Sequence, residues 1–239
     1  MKLSIATKFN LVVLTIFSLG FVAAGFMANK LLAESARQET LQNARLLMES
    51  AKAVRTYTSK QIVPLLETQL KYEFHPQSVP SYSAVENFNY VMKAFPDFSY
   101  KEATLNPTNL RDRATDWEAD IVSKLRSDTN LQEYFGERDT PTGRYLYLAR
   151  PLQIKDSACL ACHSTADAAP KTMLDKYGPN NGFGWQLNEV VGAQVISVPM
   201  SVPLARADAI FKTFMLSLAG VFGFVFVSLN IMMHFFVTR

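Results

Sequence analysis

The chain has 239 residues, of which 49% are apolar and 19% are charged, and its formal net charge is +3. All 21 Asp and Glu residues lie within 30–213, and only Lys2, Lys8 and Arg239 of the 24 Lys and Arg residues lie outside it. The central segment is therefore neutral. Because a neutral domain has no general attraction for phosphates, we expect no nucleic-acid partner.

The apolar residues are concentrated in two terminal runs, 9–29 and 214–237, which contain no Asp, Glu, Lys or Arg. Each run is long enough to cross a bilayer. We predict a cytoplasmic segment 1–8, a transmembrane helix 9–29, an extracytoplasmic domain 30–213, a transmembrane helix 214–237 and a cytoplasmic end 238–239. A signal peptide cleaved after Ala28 is the alternative for the first run, but the run is longer than a typical signal core.

The central segment mixes helical and strand patterns. Residues 30–71 have helical periodicity, which predicts a helix that continues directly from the first span. Thr115 and Glu118 form a capping-box pattern that predicts the start of a second helix. Strand-like runs follow at 98–104, 144–152 and 190–198. The sequence therefore predicts an α+β domain.

The two cysteines of the chain occur together, in Cys159-Leu160-Ala161-Cys162-His163. This spacing is the c-type haem attachment pattern, in which each thiol forms a thioether and the histidine is an axial iron ligand. A redox CxxC pair, a zinc site and a disulfide are the alternatives, and none of them explains the following histidine. The motif predicts one covalent haem c, bound by Cys159 and Cys162 and ligated by His163.

Covalent attachment by the usual bacterial machinery takes place outside the cytoplasmic membrane. The haem motif therefore predicts a periplasmic or lumenal domain, with both termini cytoplasmic, in a bacterial cytoplasmic or thylakoid membrane. The distribution of Lys and Arg does not determine this orientation, because long loops translocate largely regardless of charge.

The second axial position of the iron is open in the sequence. His75 is the histidine of the central segment that could make a bis-histidine haem, although a histidine before a proline is often a loop residue. A water-bound or five-coordinate iron is an equal alternative. His234 lies in the second span. Further candidates are the methionines Met48, Met92, Met173 and Met200.

Several motifs in a fixed order resemble the Tll0287-like haem domain family over about 45–200. They are 74–80 (FHPQSVP), 100–109 (YKEATLNPTN), 116–118 (DWE), 149–151 (ARP), 177–178 (YG), 182–185 (GFGW) and 191–194 (VGAQ). The resemblance implies a PAS-like fold with an antiparallel sheet, a long N-terminal helix and one haem c. It also implies a place at the amino end of membrane sensors that continue into an output module. This chain stops at Arg239, so we expect either a fragment or a stand-alone haem protein.

The same resemblance suggests further haem-pocket residues. Arg55 could pair with a haem propionate and Tyr57 could bond a distal ligand, with a solvated helix residue and a half-buried aromatic as the alternatives. The remaining candidates have turn, helix-start or solvated-charge alternatives. They are Asn106, Asn109 and Trp117, with Arg150 and Arg111 as propionate candidates on charge alone.

We therefore expect a membrane-anchored sensor module that detects redox state or a small haem ligand, with no enzymatic activity of its own. No nucleophile, base and orienting group can be assigned together. A membrane-anchored cytochrome that carries electrons is the alternative. Expected partners are the membrane, a second copy bound through the helices, a signalling partner or C-terminal output module, and a redox partner if the protein is an electron carrier.

Overall fold

The computed structural model describes residues 3–237, so Lys2, Arg239 and the predicted end 238–239 lie outside the described residues. The chain divides into two compact units. The first unit comprises residues up to Glu39 and from Met200 onward, and the second unit is Thr40–Pro199. The long helix α1 (Ile5–Tyr57) contributes to both.

The first unit consists of the amino-terminal part of α1 and the last helix of the chain, α7 (Ser201–Val237). Phe17 and Phe222 stack with ring centroids 4.7 Å apart, and Arg206 donates to Glu39 at 3.2 Å. Both helices are long and apolar enough to cross a membrane. The predicted spans 9–29 and 214–237 lie within them, and the span limits stay a prediction.

The second unit contains an antiparallel sheet with the strand order β1-β4-β3-β2. Its strands are β1 (Ser99–Thr104), β2 (Tyr134–Thr140), β3 (Gly143–Gln153) and β4 (Val190–Pro199). Three of these strands match the predicted runs. Strand β2 was not predicted, because its sequence YFGERDT contains a glycine and three consecutive charged residues, which are depleted in strands.

Helices cover both faces of this sheet. Helix α4 (Asp116–Ser127) begins at the predicted capping box and packs against the face that carries Ala103, Ala193 and Val195. Side chains alternate across a strand, so Tyr100 and Glu102 lie on the opposite face. There α3 (Pro80–Ala94) stacks Phe88 on Tyr100, with ring centroids 4.6 Å apart. The predicted PAS-like α+β class with an antiparallel sheet and a long amino-terminal helix is confirmed.

The carboxyl-terminal part of α1 presents a buried stripe at helical spacing, formed by Leu41, Ala44, Met48 and Ala51. The helix predicted over 30–71 has an interruption. A π-helical turn, Thr58–Ile62, separates α1 from α2 (Val63–Leu70). Pro64 explains it, because proline has no N–H to donate and its ring conflicts with the carbonyl four residues earlier.

Candidate functional site

The cysteine motif lies beyond the end of β3, in a 3-10 turn (Ser157–Cys159) followed directly by the short helix α5 (Leu160–His163). Helix α6 (Lys171–Tyr177) comes next in the chain. Asp156 caps the turn, because its Oδ1 accepts from the backbone N–H of Ala158 at 2.9 Å. Residues three and four positions apart share a helix face, so this turn places both thiols and the imidazole together.

Both cysteine thiols are half-buried and free. Burial raises the pKa of Cys159, and nearby Asp156 adds to the shift. Burial also raises the pKa of Cys162, with a further contribution from Cys159. Both side chains are therefore held as neutral thiols. Within residues 3–237, no cluster of three or more His, Cys, Asp or Glu could hold a metal ion, so a zinc site lacks further ligands there.

The imidazole of His163 is fixed on one side by three contacts. Its Nδ1 lies 2.7 Å from the carbonyl oxygen of Gly182 and 3.4 Å from the Oγ1 of Thr108. Trp185 stacks on the ring, with centroids 4.0 Å apart and planes inclined by 16°. A carbonyl only accepts, so we assign the proton to Nδ1, which leaves Nε2 available as a metal ligand.

The electrostatics of His163 favour the neutral, ligating form. Burial lowers its pKa, and the bond to the Gly182 carbonyl only partly opposes this effect. Metal-bound histidines in proteins commonly donate their second ring N–H to a carbonyl or carboxylate, which fixes both tautomer and ring orientation. His163 already has this arrangement.

The segment behind His163, residues 182–185, is held by backbone bonds to the motif itself. Gly184 N–H donates to the Ser164 carbonyl at 2.9 Å, and Trp185 N–H donates to the His163 carbonyl at 3.2 Å. Gly182 has a φ of 84°, and a Cβ there would lie 2.8 Å from the Cα of Thr108. Only glycine fits this position without displacing its neighbours.

The structure brings Arg55 close to the cysteine motif, since the Arg55 charge acts on the Cys159 thiol. The guanidinium is also paired with Glu102, which is 1% exposed. Tyr100 Oη donates to Glu102 at 2.7 Å, and Gln194 Nε2 donates to Tyr100 Oη at 3.0 Å. Burial alone would lower the pKa of Arg55, but Glu102 outweighs it and the pKa is raised. Arg55 is thus a fixed cation near Cys159.

Arg150 lies among carboxylates. Its guanidinium bonds Glu49 at 2.5 Å and Glu133 at 3.2 Å, and Arg45 binds Glu133 at 2.8 Å. These pairs connect α1 to the sheet on the face that also carries Glu102. A haem propionate would have to compete with two carboxylates for Arg150, and the predicted contact stays a prediction.

Tyr57 lies on the opposite face of α1 from Arg55, because two helical positions correspond to a rotation of about 200°. Its side chain is 54% exposed. It lines a cavity of about 580 Å³ between α1 and α3, together with Val54, Tyr82 and Tyr90. A distal role for Tyr57 also stays a prediction.

The other predicted pocket residues have local structural roles. Trp117 packs edge-on against Tyr147, with centroids 5.7 Å apart, on the sheet face opposite Glu102. Asn109 caps a 3-10 turn, because its side chain accepts from Arg111 N–H at 3.2 Å. The predicted haem contact of these two residues stays a prediction.

His75 lies at the start of another 3-10 turn, Pro76–Ser78. Its backbone carbonyl accepts from Ser78 N–H at 2.9 Å and from Ser78 Oγ at 2.7 Å. The neighbouring Phe74 ring meets Tyr177 edge-on, with centroids 5.9 Å apart. The ring of His75 is half-buried, and its predicted role as a second axial ligand stays a prediction.

The donor set of the cysteine motif fits a haem, and helix α2 offers an exposed apolar surface. Helix α2 has an apolar sequence, VPLLETQL, yet none of its eight described residues is buried. Leu65 is 78% exposed. An exposed apolar helix surface of this kind is one that a cofactor could cover. The thiol, thiol and imidazole donor set of the motif matches covalently attached haem.

The side chains that hold His163 in place were not predicted from the sequence. In the sequence, Thr108, Gly182 and Trp185 stand out only as members of the motifs that resemble the family. The side chain of Asn106 bonds the backbone at Gly182 and Phe183, both at 3.2 Å, and its predicted haem contact stays a prediction. The family fingerprint was the available signal, but it does not show which residues meet.

Comparisons with known proteins agree with this architecture. The sequence profile of the Tll0287-like family (Tll0287) matches residues 33–199. A solved structure, titled the crystal structure of the cyanobacterial heme-protein Tll0287, is similar with a TM-score of 0.53 at 15% identity. The match covers 67% of this chain and 95% of that chain. A search of curated proteins gives no match. The chain belongs to the Tll0287-like family.

Proposed function

We propose that this protein is a membrane-anchored haem protein in which Cys159 and Cys162 form thioethers to one haem c and His163 ligates the iron through Nε2. The observation that carries the proposal is the bond from His163 Nδ1 to the Gly182 carbonyl at 2.7 Å. That bond selects the tautomer and the ring orientation that an axial ligand needs. Bound haem would supply an iron that exchanges one electron or takes up a small ligand.

The family supports this assignment, since the related solved structure is described as a heme-protein. Arg55 would add a fixed positive charge near the edge of the haem that is attached to the cysteines. Helix α2 would cover an apolar face of the haem. Arg55 is held by Glu102, so it would not need to be ordered again when the haem binds.

A pyridine haemochrome assay on the purified, detergent-solubilised chain tests the assignment. We expect the spectrum of haem bound through two thioethers, retained after acid–acetone extraction. Cys159→Ala combined with Cys162→Ala should abolish the retained haem, while Ser157→Ala in the same turn should leave it unchanged. A wild-type chain that loses all its haem on extraction would contradict the proposal.

The leading function of such a haem protein is sensing. Helix α1 carries both the predicted span 9–29 and Arg55, so a change at the haem that shifts Arg55 would act on one continuous helix. The π-helical turn Thr58–Ile62 lies directly after α1, and such turns occur frequently at functional sites. The signal would pass as a small helix displacement within a homodimer and reach a signalling partner or output module.

Spin labels on α1 and α7 in the detergent-solubilised full chain test the sensing role. Label distances and dimer state should change between the oxidised and the reduced protein. Identical distances and an identical dimer state in both forms would contradict sensing of redox state, and the same comparison with and without carbon monoxide tests ligand sensing.

Electron transfer is the second candidate, because the backbone around the thiols lies at the surface. Ala158 and Ala161, each next to a cysteine, are exposed, so an attached haem would have an edge within reach of a redox partner. Carbon monoxide separates the two candidates. An iron that binds it readily favours ligand sensing, whereas an inert six-coordinate iron together with unchanged helix distances favours electron transfer.

The proposed location is a bacterial cytoplasmic or thylakoid membrane, with the haem domain on the periplasmic or lumenal side. Two helices that are long and apolar enough to span a bilayer support it. Protease added to sealed, right-side-out vesicles should cleave within Thr40–Pro199 and spare both termini. Protection of that unit would contradict the orientation.

A further inference from the structure

The side-chain amide of Asn106 bonds the backbone on both sides of the carbonyl group that contacts His163. Its Nδ2 donates to the carbonyl of Phe183 at 3.2 Å, and its Oδ1 accepts from the N–H of Gly182 at 3.2 Å. The carbonyl of Gly182, which accepts from His163 Nδ1 at 2.7 Å, lies between these two bonded groups in the chain. The Asn106 side chain thus holds the backbone on both sides of the Gly182 carbonyl.

The loop that carries Asn106 is itself restricted. Pro107 is buried and has a fixed φ, and Thr108 approaches Nδ1 of His163 to 3.4 Å. Thr108 also lies so close to Gly182 that a Cβ there would meet its backbone. Loop 106–108 and segment 182–185 therefore pack directly against each other behind the imidazole.

We propose that Asn106 is a positioning residue that sets the strength of the bond between His163 and the haem iron. This inference rests on the proposed function. A carbonyl that accepts a hydrogen bond from the Nδ1–H increases the electron density of the imidazole ring. Nε2 then becomes a stronger electron donor, which stabilises the oxidised iron. Without the amide, segment 182–185 keeps its backbone bonds to the motif but loses both bonds around the Gly182 carbonyl.

The test compares Asn106→Ala with a matched control, Gln153→Ala, in the full chain in detergent. Gln153 Nε2 donates to the backbone carbonyl of Asn188 at 2.9 Å, so the control removes the same kind of bond farther along the same loop. Haem content is measured by pyridine haemochrome. The midpoint potential and the electron paramagnetic resonance g-values of the oxidised iron report the axial ligand bond.

We expect Asn106→Ala to retain covalent haem, to raise the midpoint potential and to shift the g-values towards a weaker axial field, with Gln153→Ala equal to wild type. Equal potentials and g-values in Asn106→Ala and wild type would overturn the inference and leave the proposed function intact. Equal shifts in both variants would also overturn it, since they would reflect general loosening of the loop. A wild-type chain without covalent haem would overturn the proposed function, and the inference with it.

Discussion

Replacing Glu102 with alanine should be among the most destabilising single changes in the second unit. The carboxylate is 1% exposed and the Arg55 side chain with which it pairs is 27% exposed. Breaking a buried ion pair from one side costs about 3–5 kcal/mol, because the remaining charge stays buried without compensation. Partial access of Arg55 to solvent places the expected loss near the lower end, at about 3 kcal/mol.

Thermal unfolding of the detergent-solubilised chain, followed by circular dichroism, measures this loss. For a unit of this size a loss of about 3 kcal/mol corresponds to a fall in Tm of about 6–12 °C. Asp139→Ala is the matched control, since it removes a carboxylate whose ion pair with Arg144 is exposed, and it should change stability by less than about 0.5 kcal/mol.

A double variant, Arg55→Leu with Glu102→Leu, separates the charge effect from the loss of volume. Removing both charges should recover a large part of the stability that Glu102→Ala loses, since replacing a whole buried pair with apolar residues is often neutral. The reasoning is refuted if Glu102→Ala melts within about 2 °C of wild type, or if the double variant is less stable than Glu102→Ala.

Three further changes give distinct expected results. Gly182→Ala should lower the Tm, because alanine at a φ of 84° costs about 1 kcal/mol and its Cβ would meet Thr108; an unchanged melting curve would contradict this. Burial raises the pKa of Asp112 from 3.8 to about 6, so the folded state binds more protons than the unfolded state in that window and stability falls as pH rises through it. Urea titrations from pH 4 to 7 should show that Asp112→Asn removes this contribution, and an unaltered pH profile would refute it. Leu65→Gln should remove about 1 kcal/mol of apolar contact with the haem, and so lower the Tm of the haem-loaded chain. It should leave the Tm of the haem-free double cysteine variant unchanged.

Local patterns carried most of what the sequence could predict. The Thr115 and Glu118 capping box forms as expected, because both of its bonds lie within one helical turn. The strands β3 and β4 have apolar runs, and the motif from Cys159 to His163 needs no tertiary information to be recognised. The interruption after α1 follows from Pro64, but the sequence does not show that a π-helical turn would absorb it.

The contacts around the site could not be predicted because they join residues far apart in the chain. Arg55 and Glu102 are 47 positions apart, and Asn106 and Gly182 are 76 positions apart. The fold pairs Arg55 with Glu102 on β1, a partner that the sequence does not indicate. Asn106 in an Asn-Pro sequence predicts a turn, and only the fold shows that its amide reaches the segment behind His163.

Peptide mapping by mass spectrometry of the protein expressed with the c-type haem maturation machinery tests the central claim most directly. The account predicts one haem on the peptide that contains Cys159 and Cys162, with both thiols blocked to alkylation and no haem on any other peptide. An unmodified peptide with two alkylated cysteines, from cells in which another c-type cytochrome matures normally, would contradict it.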